Sequence, residues 1–422
     1  MASNASDTER ELRILVNAYT CNPYHGSEHS VGWGFIQELA RRHRVCVIAE
    51  KENCQRDIER FLANCPELAQ RAEFHFIEKQ RRRLLRKLWP PSYYRYYRKW
   101  HLEALNLARH LHAKEPFDLV HQLTMVGYRE PGYLWKLGVP FVWGPIGGMG
   151  SFPWRFLPSL GLYGALYYSA YNLVNAWQER FAPRPKLAAA AAGPSLISAT
   201  PEDQTGTMTH WHRPSHLLAE VGLPAHTKDT PTYRNSDEPL RVVWSGLHIP
   251  RKALPLGLKA LSILPPNIDW TLDILGKGRE TRALQRLAEN LGIGSRCRFH
   301  GWIERRVAID VMHRAHVMLI TSLRDLTSTV TVEALAAGLP VICLDHCGFS
   351  SAIDETCGIK VPVTTPNAVI DGFRDALIQM ADETRRRDLA DGALRRSRLF
   401  DWRLKVDRLE EIYRMRLSVD PL

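Results

Sequence analysis

Short apolar runs without strict alternation recur along the chain, each followed by a polar loop and a segment of helical spacing. In the first half these are Leu12–Ala18, Val45–Ala49, Glu73–Ile77, Asp118–His121 and Val139–Trp143. In the second they are Leu240–Ser245, Trp270–Leu275, Cys297–Trp302, Val317–Thr321, Pro340–Leu344 and Gly358–Pro362. Runs that are apolar on both faces suit strands covered by helices on either side, as in parallel α/β sheets. Between the two sets, Thr200–Pro239 is rich in Pro, Thr, Ser and His and has little periodicity, so the chain crosses between domains there. The pattern predicts two Rossmann-like, doubly wound domains, residues 1–215 and 240–399, joined by a linker at 216–239. A terminal amphipathic helix, 400–420, crosses back to the first domain.

Two stretches depart from this rhythm. Gln80–His101 (QRRRLLRKLWPPSYYRYYRKWH) interleaves arginine and lysine with aromatic residues. It suits either a helix at an anionic membrane surface or one packed on its own domain. Phe152–Phe181 is aromatic and nearly free of charge, which predicts an inner helix pair, with an apolar groove for a lipid-linked acceptor as the alternative.

Composition narrows the class. With 422 residues, 45% hydrophobic and 24% charged, the chain has the make-up of a globular enzyme of two or three domains. The net charge of +11 calls for an anionic partner, but no nucleic-acid motif accompanies it. The eight cysteines show neither CxxC pairs nor zinc-type spacing, pointing to a reducing cytosol. The polar start MASNASDTER has no apolar signal core, and the longest apolar patch, Leu187–Ala192, is too short to span a bilayer. A cytoplasmic protein, peripheral on the inner face of the membrane, is the expectation.

The chemistry concentrates in SLRDLTSTVTVEALAAGLPV, which joins the runs Val317–Thr321 and Pro340–Leu344. Asp325, the hydroxyls of Thr327, Ser328 and Thr329, and Glu333 all fall between a strand's carboxyl end and a helix start. There, free N–H groups and the helix dipole favour anions. Capping alone explains each residue singly, but not the whole set between two buried strands.

These residues resemble the retaining GT-B glycosyltransferases of family 4, whose E-x7-E loop precedes a helix and GLPV. Asp325 stands at the first acidic position, shortened from glutamate, and Glu333 at the second. The resemblance implies that Asp325 lies against the transferred sugar and Glu333 holds the nucleotide ribose. It implies that Gly26 and Ser27, where the family has two glycines, offer amides to the donor diphosphate. Arg251 and Lys252 would grip that diphosphate with Ser328 and Thr329, although Leu247 replaces the family's first cation. Gly276, Lys277 and Trp302 fall in nucleotide-side loops. His121 stands at the first of two family histidine positions, of which the last, absent here, lies near the reacting sugar; it is read either as catalytic or as a packed core residue.

The implied activity is metal-independent transfer, without a cofactor, from a UDP- or GDP-sugar to a saccharide or lipid-linked acceptor in polysaccharide or glycolipid synthesis. The alternative is a non-catalytic GT-B subunit that binds a nucleotide sugar or a partner enzyme.

Overall fold

A computed structural model describes residues 10–79, 92–224, 230–231, 233, 235 and 238–418. Within them lie two parallel sheets. The first contains β1 (Arg13–Ala18), β2 (Arg44–Glu50), β3 (Ala72–Ile77), β4 (Leu119–Thr124), β5 (Phe141–Ile146), β6 (Leu196–Ser198) and β7 (His216–Leu217), in the order β3-β2-β1-β4-β5-β6-β7. The second contains β8 (Leu240–Ser245), β9 (Trp270–Leu275), β10 (Cys297–Gly301), β11 (Val317–Ile320), β12 (Val341–Leu344) and β13 (Gly358–Val361), in the order β10-β9-β8-β11-β12-β13.

In each sheet the strand order reverses beside the first strand, between β1 and β4 and between β8 and β11. Loops leaving the carboxyl ends of strands at such a reversal part to form a ligand crevice. The loops after β1, β4, β8 and β11 are therefore the ones the topology brings together. Seven helices bear on the site: α1 (Glu28–Leu39), α2 (Ser92–Lys114), α3 (Gly161–Phe181), α4 (Pro201–Trp211), α5 (Arg305–Arg314), α6 (Thr329–Ala336) and α7 (Trp402–Leu417). The apolar central strands β1, β4, β5, β11 and β12 are buried almost throughout, which is why they read as continuous runs.

The chain crosses between lobes twice, and the crossings are bonded to each other. Leu223 N donates to Phe400 O at 2.8 Å, and Trp402 N donates to Leu223 O at 3.1 Å. The Trp402 ring fills space that only glycine leaves open. A Cβ on Gly34 of α1 would sit 2.2 Å from it, and one on Gly222 2.6 Å. The helix α7 that follows is seated on the first lobe, where the buried Tyr413 meets His121 of β4.

Three features differ from the sequence expectation. The strands β6 and β7 had no signal, being short and set in Pro- and Ser-rich sequence; β7 falls at the start of the stretch read as linker. Of the basic-aromatic stretch, residues 80–91 lie outside the described residues. In the part that is described, Tyr97 and Trp100 of α2 are buried against Tyr19, so those rings serve the lobe's own core. The segment Phe152–Phe181 is not an inner helix pair. It forms a 3-10 turn, Trp154–Leu160, and then the single long helix α3, most of whose large apolar side chains face outward while Tyr168 is buried against Phe152. No described helix is long and apolar enough to cross a membrane. All eight cysteines are free.

Candidate functional site

A cleft of about 950 Å³ lies between the lobes, walled by the loops after β1, β4, β5, β8 and β11. The loop after β8 turns through Pro250–Lys252 and places Lys252 beside Asp325 from the loop after β11. Lys252 Nζ donates to Asp325 Oδ2, and Arg251 Nη1 lies 3.3 Å from Asp325 Oδ1. Burial pushes the Asp325 carboxyl up, but the two cations outweigh it and hold it below the usual aspartate range. The group is a carboxylate at neutral pH. A second donation from Arg251 to Arg324 O at 2.8 Å fixes the loops against each other.

Helix α6 begins at the cleft. Its N-cap, Ser328, has φ 68° and ψ 128°, and Ser27, the N-cap of α1 on the opposite wall, has φ 59° and ψ −138°. Both backbones are in conformations that glycine adopts freely and an L-residue only under strain. Ser27 therefore holds a backbone conformation that favours glycine.

Glu333, in the second turn of α6, accepts from Arg305 Nε at 2.9 Å and Nη2 at 2.5 Å. Burial raises its carboxyl above the ordinary glutamate value, with Arg305 opposing. Trp302 stands 69% exposed on the same wall, an uncovered ring able to stack on a planar base. Gly276 completes this side. Its φ is 111°, and a Cβ there would sit 2.1 Å from Gly246 O.

Of the residues expected from sequence, the cleft collects Gly26, Ser27, Arg251, Lys252, Gly276, Trp302, Asp325, Ser328, Thr329 and Glu333. Lys277 is exposed and outside the cleft walls. His121 is a correction. It is fully buried in β4, with Nε2 donating to Gly144 O and Nδ1 accepting from Tyr413 OH, both at 2.7 Å. Burial lowers its pKa to about 4, so the ring is neutral, and both nitrogens are occupied within the core. It pins α7 to the first sheet and is not among the residues that wall the cleft.

Sequence reasoning missed a set of residues that reach across the cleft. Glu220, in the crossing segment, accepts from Thr327 N at 3.0 Å and Ser328 N at 3.4 Å, so a carboxylate occupies amides at the start of α6. Burial raises Glu220 to about 7, while burial lowers its neighbour Lys405 of α7 to about 8. Glu202 of α4 accepts from Cys347 N at 2.9 Å and pairs with His346 Nδ1 at 2.5 Å. Arg324 donates to Gly150 O at 3.4 Å and to Tyr171 OH of α3. The only trace of these in the sequence is an acid, Glu220, set among apolar residues in a stretch assigned to a linker.

This two-lobed arrangement is a known one. Residues 227–393 match the family described as Glycosyl transferases group 1. A D-inositol 3-phosphate glycosyltransferase of Thermomonospora curvata is 32% identical over 141 residues, 33% of this chain and 32% of that protein. The lipopolysaccharide glucosyltransferase WaaG of Escherichia coli is 30% identical over 114 residues, 26% of this chain and 30% of that protein. The chain thus spans about a third of the length of these relatives. Among solved structures, Anabaena HepE in complex with UDP superposes with a TM-score of 0.61 at 14% identity, over 96% of this chain and 100% of that one. The lipopolysaccharide outer core galactosyltransferase WaaB, in its apo form, gives 0.62 at 13% identity, over 95% and 99%. The β8-to-β13 lobe thus matches the Glycosyl transferases group 1 model, and both lobes together have the GT-B fold of these solved glycosyltransferases.

Proposed function

We propose that the protein transfers a sugar, with retention of configuration, from a nucleoside diphosphate sugar to a saccharide or lipid-linked saccharide in polysaccharide or glycolipid synthesis. The observation that carries this reading is the contact of Lys252 and Arg251 with Asp325 at the amide-bearing start of α6, inside an interlobe cleft.

The hard step is departure of the diphosphate while positive charge grows at the anomeric carbon. Lys252, Arg251 and the amide of Thr329, with that of Ser328 once Glu220 releases it, would receive the negative charge, a role this reading gives to the chain rather than to a metal. Asp325, held ionised, would face the positive charge on the sugar. Glu333 would take the ribose hydroxyls once Arg305 releases it, and Trp302 would stack on the base. HepE was solved with UDP-glucose, which makes UDP-sugars the first donors to test.

Thermal shift against UDP, GDP and ADP, followed by turnover of the matching sugar nucleotides, tests the reading, since a ligand of the native state raises its melting temperature. Lys252→Ala is expected to lower transfer by ~3 to 4 kcal/mol of transition-state stabilisation, roughly 150- to 900-fold. Transfer at the normal rate by that variant would overturn the assignment.

A second reading is a GT-B subunit that binds a nucleotide sugar or partner enzyme without turnover. It is favoured by Leu247 at the first cation position and by the engagement of Lys252 and Arg305 with carboxylates. Detectable transfer by the purified chain excludes it.

A further inference from the structure

Helix α3 is amphipathic the wrong way round for a helix that ends in water. Its buried face carries Asn172, Asn175 and Glu179. Asn172 exchanges both bonds with the Phe152 backbone, at 2.9 and 2.8 Å, and Asn175 Nδ2 reaches Met149 O at 3.3 Å. The polar groups are thus used to hold the loop after β5, part of the cleft wall.

The opposite face repeats apolar side chains at helical spacing. Leu162 is 80% exposed, Leu166 63%, Leu173 64% and Trp177 60%, with Val174 and Phe181 between and beyond them. Tyr163 and Tyr167 lie on the same side and are also exposed. Single exposed apolar residues need no explanation, but a continuous stripe of this length marks an interaction surface.

Charge decides what covers it. From residue 131 to 178 the sequence contains no aspartate or glutamate, and Glu179 is turned inward. Within residues 152–181 the exposed charged residues are Arg155 at one end and Arg180 at the other. A second copy laid against this face, parallel or antiparallel, would set arginine against arginine at both ends with no acid between them. An anionic lipid surface meets the same ends with phosphates, while leucine, tryptophan and tyrosine suit the boundary between headgroup and acyl chain.

We propose that α3 is the membrane-docking element of this protein, lying in the plane of an anionic bilayer with its Leu162-to-Phe181 stripe immersed. The docking stands on α3 alone. Its consequence for catalysis, that the acceptor is carried by a lipid, rests on the function proposed above. A helix is only ~10 to 12 Å across with its side chains. The inner face of α3 binds Arg129 and Arg324, both on the cleft wall, through Tyr171. Immersion of the outer face would therefore bring the cleft within one helix width of the lipid headgroups.

Flotation tests this with the full chain and vesicles of phosphatidylcholine with or without phosphatidylglycerol, without nucleotide. The wild-type protein is expected to rise with phosphatidylglycerol vesicles at low salt. Leu166→Glu/Val174→Glu should reduce the bound fraction at least ~10-fold while retaining its melting temperature. If the double variant fails to fold, Trp177→Gln gives a milder version of the same comparison. Lys252→Ala should float like the wild type, so loss of nucleotide binding and loss of docking are read separately. The proposal is overturned if the wild-type chain stays at the bottom with anionic vesicles, or if the substituted chain floats equally well. It is also overturned if light scattering without lipid shows a dimer that the same substitutions dissolve.

Discussion

Replacing Asp325 with asparagine separates binding from chemistry. In the cleft the carboxylate engages Lys252 and lies 3.3 Å from Arg251, so an incoming diphosphate must share both cations with it. It also adds a negative charge to a site meant for two phosphates. Hydrogen bonds to charged groups contribute about 1.5 to 3 kcal/mol. The side-chain amide keeps an oxygen for Lys252 but loses the charge, so something like half of one such bond, ~1 kcal/mol, becomes available to the diphosphate. That corresponds to roughly fivefold tighter UDP or GDP binding. Isothermal titration with the free nucleoside diphosphates reads it directly. Transfer should move the opposite way, because the group facing the developing sugar cation is neutral. If Asp325→Asn leaves nucleoside diphosphate affinity unchanged or weakens it, the carboxylate does not compete with phosphate and the electrostatic reading of the site is wrong.

Three further outcomes follow from the same geometry. Ser27→Gly and Ser328→Gly should each stabilise the protein by about 1 kcal/mol, strain relief outweighing the entropy of an added glycine, as a rise in denaturation midpoint; a fall would show those backbones to be unstrained. Glu220 has a folded value of about 7, raised from 4.5, so its ionisation costs stability progressively as pH rises from 4.5 to 7 and the full cost is present above that. Glu220→Gln should therefore gain stability relative to the wild type at pH 8 over pH 5, on the order of 2 to 3 kcal/mol, and parallel curves would refute the burial of that charge. His121→Leu strands the Tyr413 hydroxyl and the Gly144 carbonyl, so urea unfolding should show a loss of ~2 to 4 kcal/mol, with transfer per folded molecule retained. A stable variant with reduced transfer would restore a chemical role to the ring.

The strands legible in the sequence were those of four or more residues rich in apolar and aromatic side chains. Leu240–Ser245 and Trp270–Leu275 match β8 and β9 in both bounds, their apolar residues outweighing the half-buried Arg241, Thr271 and Asp273. The strands β6 and β7 were silent because three and two residues carry too little pattern. In α3, the count of apolar residues was read as burial, but the residues that decide its orientation are Asn172 and Asn175, whose partners are backbone groups of a distant loop. Cleft residues on loops next to strand ends were found because the topology fixes where those ends point. Glu220 and Glu202 were not, since each acts on the opposite lobe, and their targets are backbone N–H groups that leave no mark in the sequence.

The bonded crossings have a mechanical consequence. Two independent tethers would let the lobes slide as well as turn, but here Leu223 is fastened to Phe400 and Trp402, and the indole fills the gap between Gly34 and Gly222. Sliding would drive that ring into backbone, leaving rotation about the paired segments as the soft motion. Rotation about that seam opens the contacts that cross the cleft, Arg324 with Tyr171 and Glu220 with the amides before α6. On the function proposed above, a donor would enter by a swing of one lobe about a pinned seam, and a larger side chain at Gly34 or Gly222 would alter the angle of that swing.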